Sequence, residues 1–480
     1  MTGNWLHQKI FIDGTWCDAD TSETIDVTNP ATGEIVGTVP KAGAAETRRA
    51  IDAANRVFKI FSRTTADERA EKLRALHALI LKHQEELAQL LTLEQGKPLR
   101  EARGEIGMSA KYILWFAEEA RRQYGDIIDS PWPDRQLQVL HQPVGVVAAI
   151  TPWNFPSSML ARKIGPALAA GCTLVIKPAT QTPFSGLAWA DLCEKAGFPA
   201  GAVNILTGSA AEIGGELMRN PLVRKITFTG STSVGKALMS QAAATVKRVS
   251  MELGGNAPFI VFDDADLDRA VEGALASKFR NSGQTCVCTN RIYVQSGIHD
   301  RFVEKLSAAV TKLTVGSGLD EAVDFGPLID QKAVASTEAF VRDAVAKGGL
   351  IKTGGNALGG NFFAPTVIAN ASGDMNFARD EIFGPVAPVF TFETEDEAYA
   401  LANDTEYGLA CYVYTTNLAR AHRAARNLEY GIVGVNDGLV TTEVAPFGGF
   451  KESGVGSEGS KYGMRDYLET KYVSLGGLGD

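Results

Sequence analysis

Lys225-Ile226-Thr227-Phe228-Thr229-Gly230-Ser231-Thr232-Ser233-Val234-Gly235 decides the fold. Lys225–Phe228 reads as a buried strand, the chain breaks at Gly230-Ser231, and Val234, Leu238 and Met239 then open a helix. A strand that ends in such a turn and starts a helix leaves backbone N–H groups and a hydroxyl free, which is a site for an anion. The same unit recurs on both sides. Apolar runs at Gly145–Ile150, Thr173–Ile176, Val203–Leu206, Val249–Leu253 and Pro258–Phe262 alternate with helix-like stretches across Gly- and Pro-containing turns. Strands buried on both faces read as continuous apolar runs, and the alternation predicts an α/β fold with a doubly wound parallel sheet.

Upstream, Ala50, Ile51, Ala54, Val57 and Phe58, then Leu73, Leu76, Leu79, Ile80 and Leu81, recur at helical spacing. After Asp263 a second α/β block holds Ala265–Lys278, Arg291–Val294, His299–Leu313, Lys332–Ala346, Thr394–Leu401 and Tyr414–Asn427. A chain of 480 residues has room for several domains at roughly 100–200 residues each. The expected division is a first domain over 1–120 and 144–252, a second over 253–445, and small β extensions at 121–143 and 467–480. The extensions either pair with each other or reach another subunit. Exposed edge strands need cover, so a homo-oligomer, dimer or tetramer, is expected.

Composition narrows the function. The chain is 45% hydrophobic and 21% charged with a net charge of -9, as a soluble globular protein is. No Lys/Arg block offers a phosphate-backbone footprint, so nucleic acid is not an expected partner. No run of about 18 apolar residues exists to span a membrane, and Met1–Lys9 lacks the layout of a leader peptide. The six cysteines include no C-x-x-C pair, which fits a reducing, cytoplasmic setting. The six histidines are scattered, so neither a metal site nor histidine catalysis is expected. Gly454, Gly456 and Gly459 spell G-x-G-x-x-G, but near the C-terminus and without the strand and helix that a phosphate loop needs.

The chemistry centres on Phe279-Arg280-Asn281-Ser282-Gly283-Gln284-Thr285-Cys286-Val287-Cys288. A cysteine behind a glycine turn and near a cation is expected to be exposed and partly ionised, and a thiolate attacks an aldehyde carbon. With Met251-Glu252-Leu253-Gly254-Gly255-Asn256 and Thr151-Pro152-Trp153-Asn154-Phe155-Pro156, the chain resembles the aldehyde dehydrogenase superfamily. The resemblance is closest to its succinate-semialdehyde dehydrogenase branch and extends over nearly the whole chain. It implies that the first domain binds a dinucleotide and the second carries catalysis. It also implies that Cys286 forms a thiohemiacetal, with the Asn154 side-chain amide and the Cys286 N–H as oxyanion donors. Hydride loss leaves a thioester, and Glu252 activates water to hydrolyse it. Lys163 and Glu458 match positions linked to proton relay.

The same resemblance assigns the cofactor. Gly230 and Ser231 fall in the family's pyrophosphate turn, and Trp153 lies beside the cofactor. Glu381 matches the acid that holds the nicotinamide ribose, with Phe383 packing near the ring. Lys177, beyond the strand Thr173–Ile176, is within reach of the adenosine ribose. NAD-preferring relatives often have a glutamate at the position of Thr180, which would repel a 2′-phosphate. Thr180 with Lys177 therefore favours NADP, with NAD as the alternative.

Arg162 and Arg280 match the two arginines that hold the substrate's far carboxylate, and two guanidinium forks suit a planar anion. The chain departs from the branch at Thr441, commonly a serine, at Asp437, where Asn-Thr-Gly becomes Asn-Asp-Gly, and at Ser457, which replaces a frequent arginine. Asp437, if it faces the pocket, accepts from a substrate hydroxyl. The expected substrate is a small anionic semialdehyde, succinate semialdehyde first, with glutarate semialdehyde and sulfolactaldehyde as alternatives. A CoA-acylating relative and a catalytically silent protein are the rival readings. Glu252 argues against the first, and the intact Cys286, Glu252 and Asn154 against the second. Cys288 is either a reduced thiol lining the pocket or a partner for reversible oxidation of Cys286.

Overall fold

Five strands, β1 (Val146–Ile150), β2 (Thr173–Lys177), β3 (Val203–Ile205), β4 (Val223–Thr229) and β5 (Arg248–Glu252), run parallel in the order β3-β2-β1-β4-β5. This is a computed structural model, and it describes residues 5–477. Residues 1–4 of the segment read above for a leader, and 478–480 of the C-terminal extension, lie outside the described residues. Every residue of β2 and β3 is buried, as strands covered on both faces must be. The strand order reverses between β1 and β4, and ligands of open α/β sheets bind at such a switch point. An antiparallel hairpin, Ile10–Ile12 and Thr15–Cys17, extends the sheet beyond β3. Gly454–Val455, the start of the G-x-G-x-x-G string, pairs antiparallel with β5 at the other edge.

Two helices bring the sheet's upper edge to the site. Helix α1 (Leu99–Glu119) packs across α2 (Ser158–Ala170), and α2 is buried along its whole length. A Cβ at Gly165 would lie 2.8 Å from the Phe116 ring, so only glycine lets these helices approach so closely.

The run Pro258–Phe262 does not belong to the first sheet as expected. Gly254-Gly255 ends β5 and turns the chain, and β6 (Ala257–Val261) becomes an interior strand of a second sheet. That sheet adds β7 (Thr289–Gln295), β8 (Leu350–Thr353), β9 (Thr366–Ala369), β10 (Val386–Phe392), β11 (Ala410–Tyr414) and β12 (Ile432–Val435), in the order β8-β9-β10-β7-β6-β11-β12. All its pairings are parallel except β8 with β9. Within Tyr414–Asn427 the structure separates the end of β11 from a helix Leu418–Asn427, whose start is capped by Asn417 accepting from the Arg420 N–H at 3.1 Å.

The two β extensions pair with each other. Leu468–Gly476 runs antiparallel to Arg135–Pro143, which also pairs with Asp126–Ile128. Ile127 and Tyr472 on this small sheet are 75% and 58% exposed. Among the described residues, no helix is long and apolar enough to cross a membrane.

Candidate active site

Helix α4 (Leu267–Phe279) in the second sheet's layer runs into a left-handed turn: φ is 51° at Asn281, 58° at Ser282 and 76° at Gly283. A Cβ at Gly283 would lie 2.2 Å from the Gly384 carbonyl oxygen. Cys286 follows this turn and lines two cavities, one of about 240 Å³ and one of about 290 Å³. Its thiol is not partly ionised as the sequence led one to expect. Burial pushes its pKa up to about 12, outweighing the pull of Arg162. In the cofactor-free protein, alkylation of Cys286 is therefore expected to quicken about tenfold per pH unit, with no plateau between pH 7 and 10. A plateau near pH 8, read from iodoacetamide inactivation rates, contradicts this.

The larger cavity opens at the carboxyl ends of β1, β4 and β5. Helix α3 (Thr232–Ala242) begins there, and Ser231 is its N-cap residue with no side-chain cap hydrogen bond. The helix start is thus left to another acceptor. A Cβ at Gly230 would lie 2.5 Å from the Phe228 ring. Across the cavity the Trp153 and Phe383 rings meet edge to face at 5.5 Å. Glu381 Oε1 accepts the Gly255 N–H at 3.0 Å, and burial raises this carboxyl to about 7 while Lys278 pulls it back. A further groove of about 580 Å³ lies between the helix Ala210–Arg219 and α3, lined by Ala210, Ala211, Gly214, Gly215 and Leu238. Sequence reasoning missed this groove. Its signal was the pair of small-residue doublets Ala210-Ala211 and Gly214-Gly215. A helix start for a pyrophosphate, an acid for a ribose diol and an aromatic pair for a flat ring together fit a dinucleotide. Lys177 and Thr180 do not line this cavity. The Lys177 amine folds back to donate to the Pro178 carbonyl at 3.2 Å, burial lowers it to about 8, and Thr180 is exposed.

The smaller cavity holds Arg162 and Arg280. Arg162 is buried between the Tyr112 and Phe447 rings, 4.9 and 4.2 Å from their centroids, and its Nε and Nη1 have no hydrogen-bond partner. Glu458 Oε2 lies 3.8 Å from Nη1, close enough for an ion pair but not a hydrogen bond. Buried donors without hydrogen bonds are costly, and an anion in the cavity would satisfy them. Arg280 lies 5.4 Å from the Phe155 ring centroid. Thr441 lines the same space. Asp437 does not: it is exposed, and its Oδ1 caps a local turn by accepting the Leu439 N–H at 2.9 Å. The carboxyls that do line the cavity are Glu105, paired with Lys97, and Glu101, whose Oε2 accepts the Asn281 N–H at 2.8 Å and whose pKa burial raises. Glu101 sits on α1, far from every catalytic string, and only the packing of α1 against α2 reveals it.

Asn154 lines the larger cavity. Its Nδ2 donates one hydrogen to the Gln284 carbonyl at 3.0 Å, and the amide has a second to give. Among the described residues the Cys286 N–H has no acceptor. Glu252, at the end of β5, is buried with neither oxygen hydrogen-bonded, and burial, then Glu458, raise its pKa well above the carboxylate range. It lines neither cavity, but its charge acts on the Cys286 thiol. Lys163 donates to Glu458 Oε1 at 2.5 Å and to Thr229 Oγ1 at 2.7 Å, joining α2, β4 and the C-terminal loop beside Glu252. Cys288 neither lines a cavity nor bridges to Cys286. It is buried and free, and its thiol donates to the Lys278 carbonyl at 2.9 Å.

A thiol shared by a dinucleotide cleft and an anion pocket, on this doubly wound fold, defines an NAD(P)-dependent oxidoreductase. The chain belongs to the aldehyde dehydrogenase family, whose model matches residues 16–473. It is 59% identical over 475 residues to a glutarate-semialdehyde dehydrogenase of Pseudomonas aeruginosa, covering 98% of both chains. It is equally 59% identical, with the same coverage, to the NADP(+) succinate-semialdehyde dehydrogenase GabD of Escherichia coli. A 3-sulfolactaldehyde dehydrogenase of Pseudomonas putida is 58% identical, again over 98% of both chains. Among solved structures, an NADP-dependent enzyme of E. coli superposes with a TM-score of 0.98 at 58% identity, covering 99% of each chain.

Proposed function

We propose that this enzyme oxidises a small semialdehyde with a terminal monoanion to the corresponding acid. Succinate semialdehyde is the first choice, with glutarate semialdehyde and sulfolactaldehyde next, and NADP is the preferred acceptor over NAD. The observation that carries this reading is Cys286 shared between two cavities, one of which holds the Arg162 guanidinium with two nitrogens that make no hydrogen bond. The three relatives, each acting on a short aldehyde with an acid group, support it. The sulfonate stays a second reading because two guanidinium forks suit it as well as a carboxylate.

In this mechanism Arg162 and Arg280 hold the anionic end, so that the aldehyde carbon faces Cys286. Glu252 takes the thiol proton, a task its raised pKa suits. The sulfur bonds to the carbonyl carbon, and the free hydrogen of Asn154 Nδ2 and the Cys286 N–H donate to the new oxyanion. Gly230, Ser231, Glu381, Trp153 and Phe383 would hold the dinucleotide, which when bound supplies the hydride acceptor that turns the thiohemiacetal into a thioester. Glu458 with Lys163 carries the thiol proton away from Glu252, which as carboxylate then draws a proton from the attacking water. The tetrahedral adduct expels the Cys286 thiolate, that proton passes from Glu252 to the sulfur, and the acid departs. A role for Lys177 and Thr180 in the nucleotide's outer ribose rests on their place at the carboxyl end of β2, Lys177 as its last residue and Thr180 just beyond.

The domain division at 1–120 with 144–252, 253–445 and the β extensions, assembly into a dimer or tetramer through the exposed small sheet, and a cytoplasmic setting belong to the same proposal. The test is a kcat/KM panel of the three anionic aldehydes and butyraldehyde with NADP and NAD, together with identification of the product. We expect one anionic aldehyde to exceed butyraldehyde by about 10²-fold or more, NADP to be the better acceptor, and free acid rather than acyl-CoA. Equal use of butyraldehyde overturns the anion pocket, and acyl-CoA formation overturns the role of Glu252.

A further inference from the structure

The side-chain amide of Asn281 takes part in none of the steps above, yet it lies between the two halves of the site. Its Nδ2 donates to the Asn154 carbonyl at 2.9 Å and to the Gln284 carbonyl at 3.2 Å. The Gln284 carbonyl is also the acceptor for Asn154 Nδ2. One amide thus grips the backbone of Asn154 and the group that orients its side chain.

The amide's own orientation is fixed. Asn281 Oδ1 accepts from Gln95 Nε2 at 3.0 Å, and Gln95 Oε1 accepts the Lys97 N–H at 2.9 Å. Lys97 Nζ gives the Asn154 carbonyl a second donor at 2.7 Å, while paired with Glu105 at 2.7 Å. Gln95, Lys97, Asn154 and Asn281 are all buried, where an unmade hydrogen bond is expensive. The backbone departs from its usual conformations to bring this amide into place. Asn281 and Ser282 both adopt positive φ, and Glu101 and the Gly326 carbonyl hold the turn through the Asn281 N–H and the Ser282 hydroxyl. Asparagine tolerates the left-handed region better than most residues.

We propose that Asn281 is a positioning residue that acts through Asn154, setting where the oxyanion donor stands relative to Cys286. The inference rests on the proposed reaction, in which Asn154 donates to the oxyanion. The two fail separately. An inactive wild-type enzyme counts against the reaction, whereas an active wild type with an unimpaired variant counts against Asn281.

Asn281→Asp keeps the shape, the backbone tolerance and the acceptor for Gln95, but turns an oxygen towards two carbonyls, each of which keeps one other donor. A misplacement of about 1 Å in a catalytic group can cost about 10²-fold. The variant is expected to lose at least about tenfold in kcat, while KM for the semialdehyde and Kd for NADPH stay within about threefold. In an Asn154→Ala background the same change is expected to cost under about threefold, because the group it positions is already gone. Wild-type kcat in Asn281→Asp, or the full loss repeated on top of Asn154→Ala, overturns the proposal. Should Asn281→Asp fail to bind NADPH, Asn281→Ser removes the double donor without adding charge, and the same cycle with the same two outcomes decides.

Discussion

Cys286→Ala is expected to lower kcat for semialdehyde oxidation by at least about 10⁴-fold while leaving the dinucleotide cleft intact. The size follows from the chemistry. Without the sulfur there is no covalent adduct, and what remains is substrate binding and the oxyanion donors, which in comparable sites retain only a small part of the acceleration. The side chain removed is small and borders open space on two sides, so the fold has little to lose. NADPH binding, followed by fluorescence, should be unchanged within about twofold. Activity above about one per cent of wild type in the purified variant would require another nucleophile. Cys288 is not available for that role, because its thiol is buried against the Lys278 carbonyl on the far side of the loop.

Arg162→Gln is the second large effect. Arg162 is enclosed by two aromatic rings, and two of its nitrogens make no hydrogen bond, although Nη1 is ion-paired with Glu458 at 3.8 Å. Removing one side of a buried charged contact costs about 2–5 kcal/mol, so KM for the anionic semialdehyde should rise by about 10²-fold or more. Arg162 also pulls the Cys286 thiol downward, and its loss slows the nucleophile for every substrate. The discriminating quantity is therefore the ratio of kcat/KM for the anionic semialdehyde to that for butyraldehyde. That ratio should collapse by about 10²-fold. An unchanged ratio would mean that the anion is held elsewhere. Arg280→Gln offers a cleaner comparison, since Arg280 acts least on the thiol among the charges around it.

The first sheet was legible because its strands are buried on both faces and mostly apolar. β2 holds Leu174-Val175-Ile176 between Thr173 and Lys177, β3 is apolar except for Asn204, and the turn after β4 carries the glycine and hydroxyl that a helix start leaves open. The second sheet was harder. β10 contains Pro388, and β11 runs close to a helix with only Thr415 to Asn417 between them. The sixth run reads like the five before it, and only the division placed at 252/253 set it apart from them. Within the site, the local strings around Asn154, Ser231, Cys286 and Glu381 converge on one cavity. Properties made by long-range packing were not legible. The thiol's ionisation depends on what encloses it, and Glu101 reaches the anion pocket only because α1 crosses α2. Asp437 stands in a loop string close to Thr441, yet a local turn claims its carboxylate.

The sulfur at the boundary of two chambers has a consequence for traffic through the enzyme. In the proposed reaction the spent carboxylic acid and the spent nucleotide would occupy different chambers, and neither would need to queue behind the other. Blockers lodged in either chamber would then compete with different reactants, although both stop the same atom.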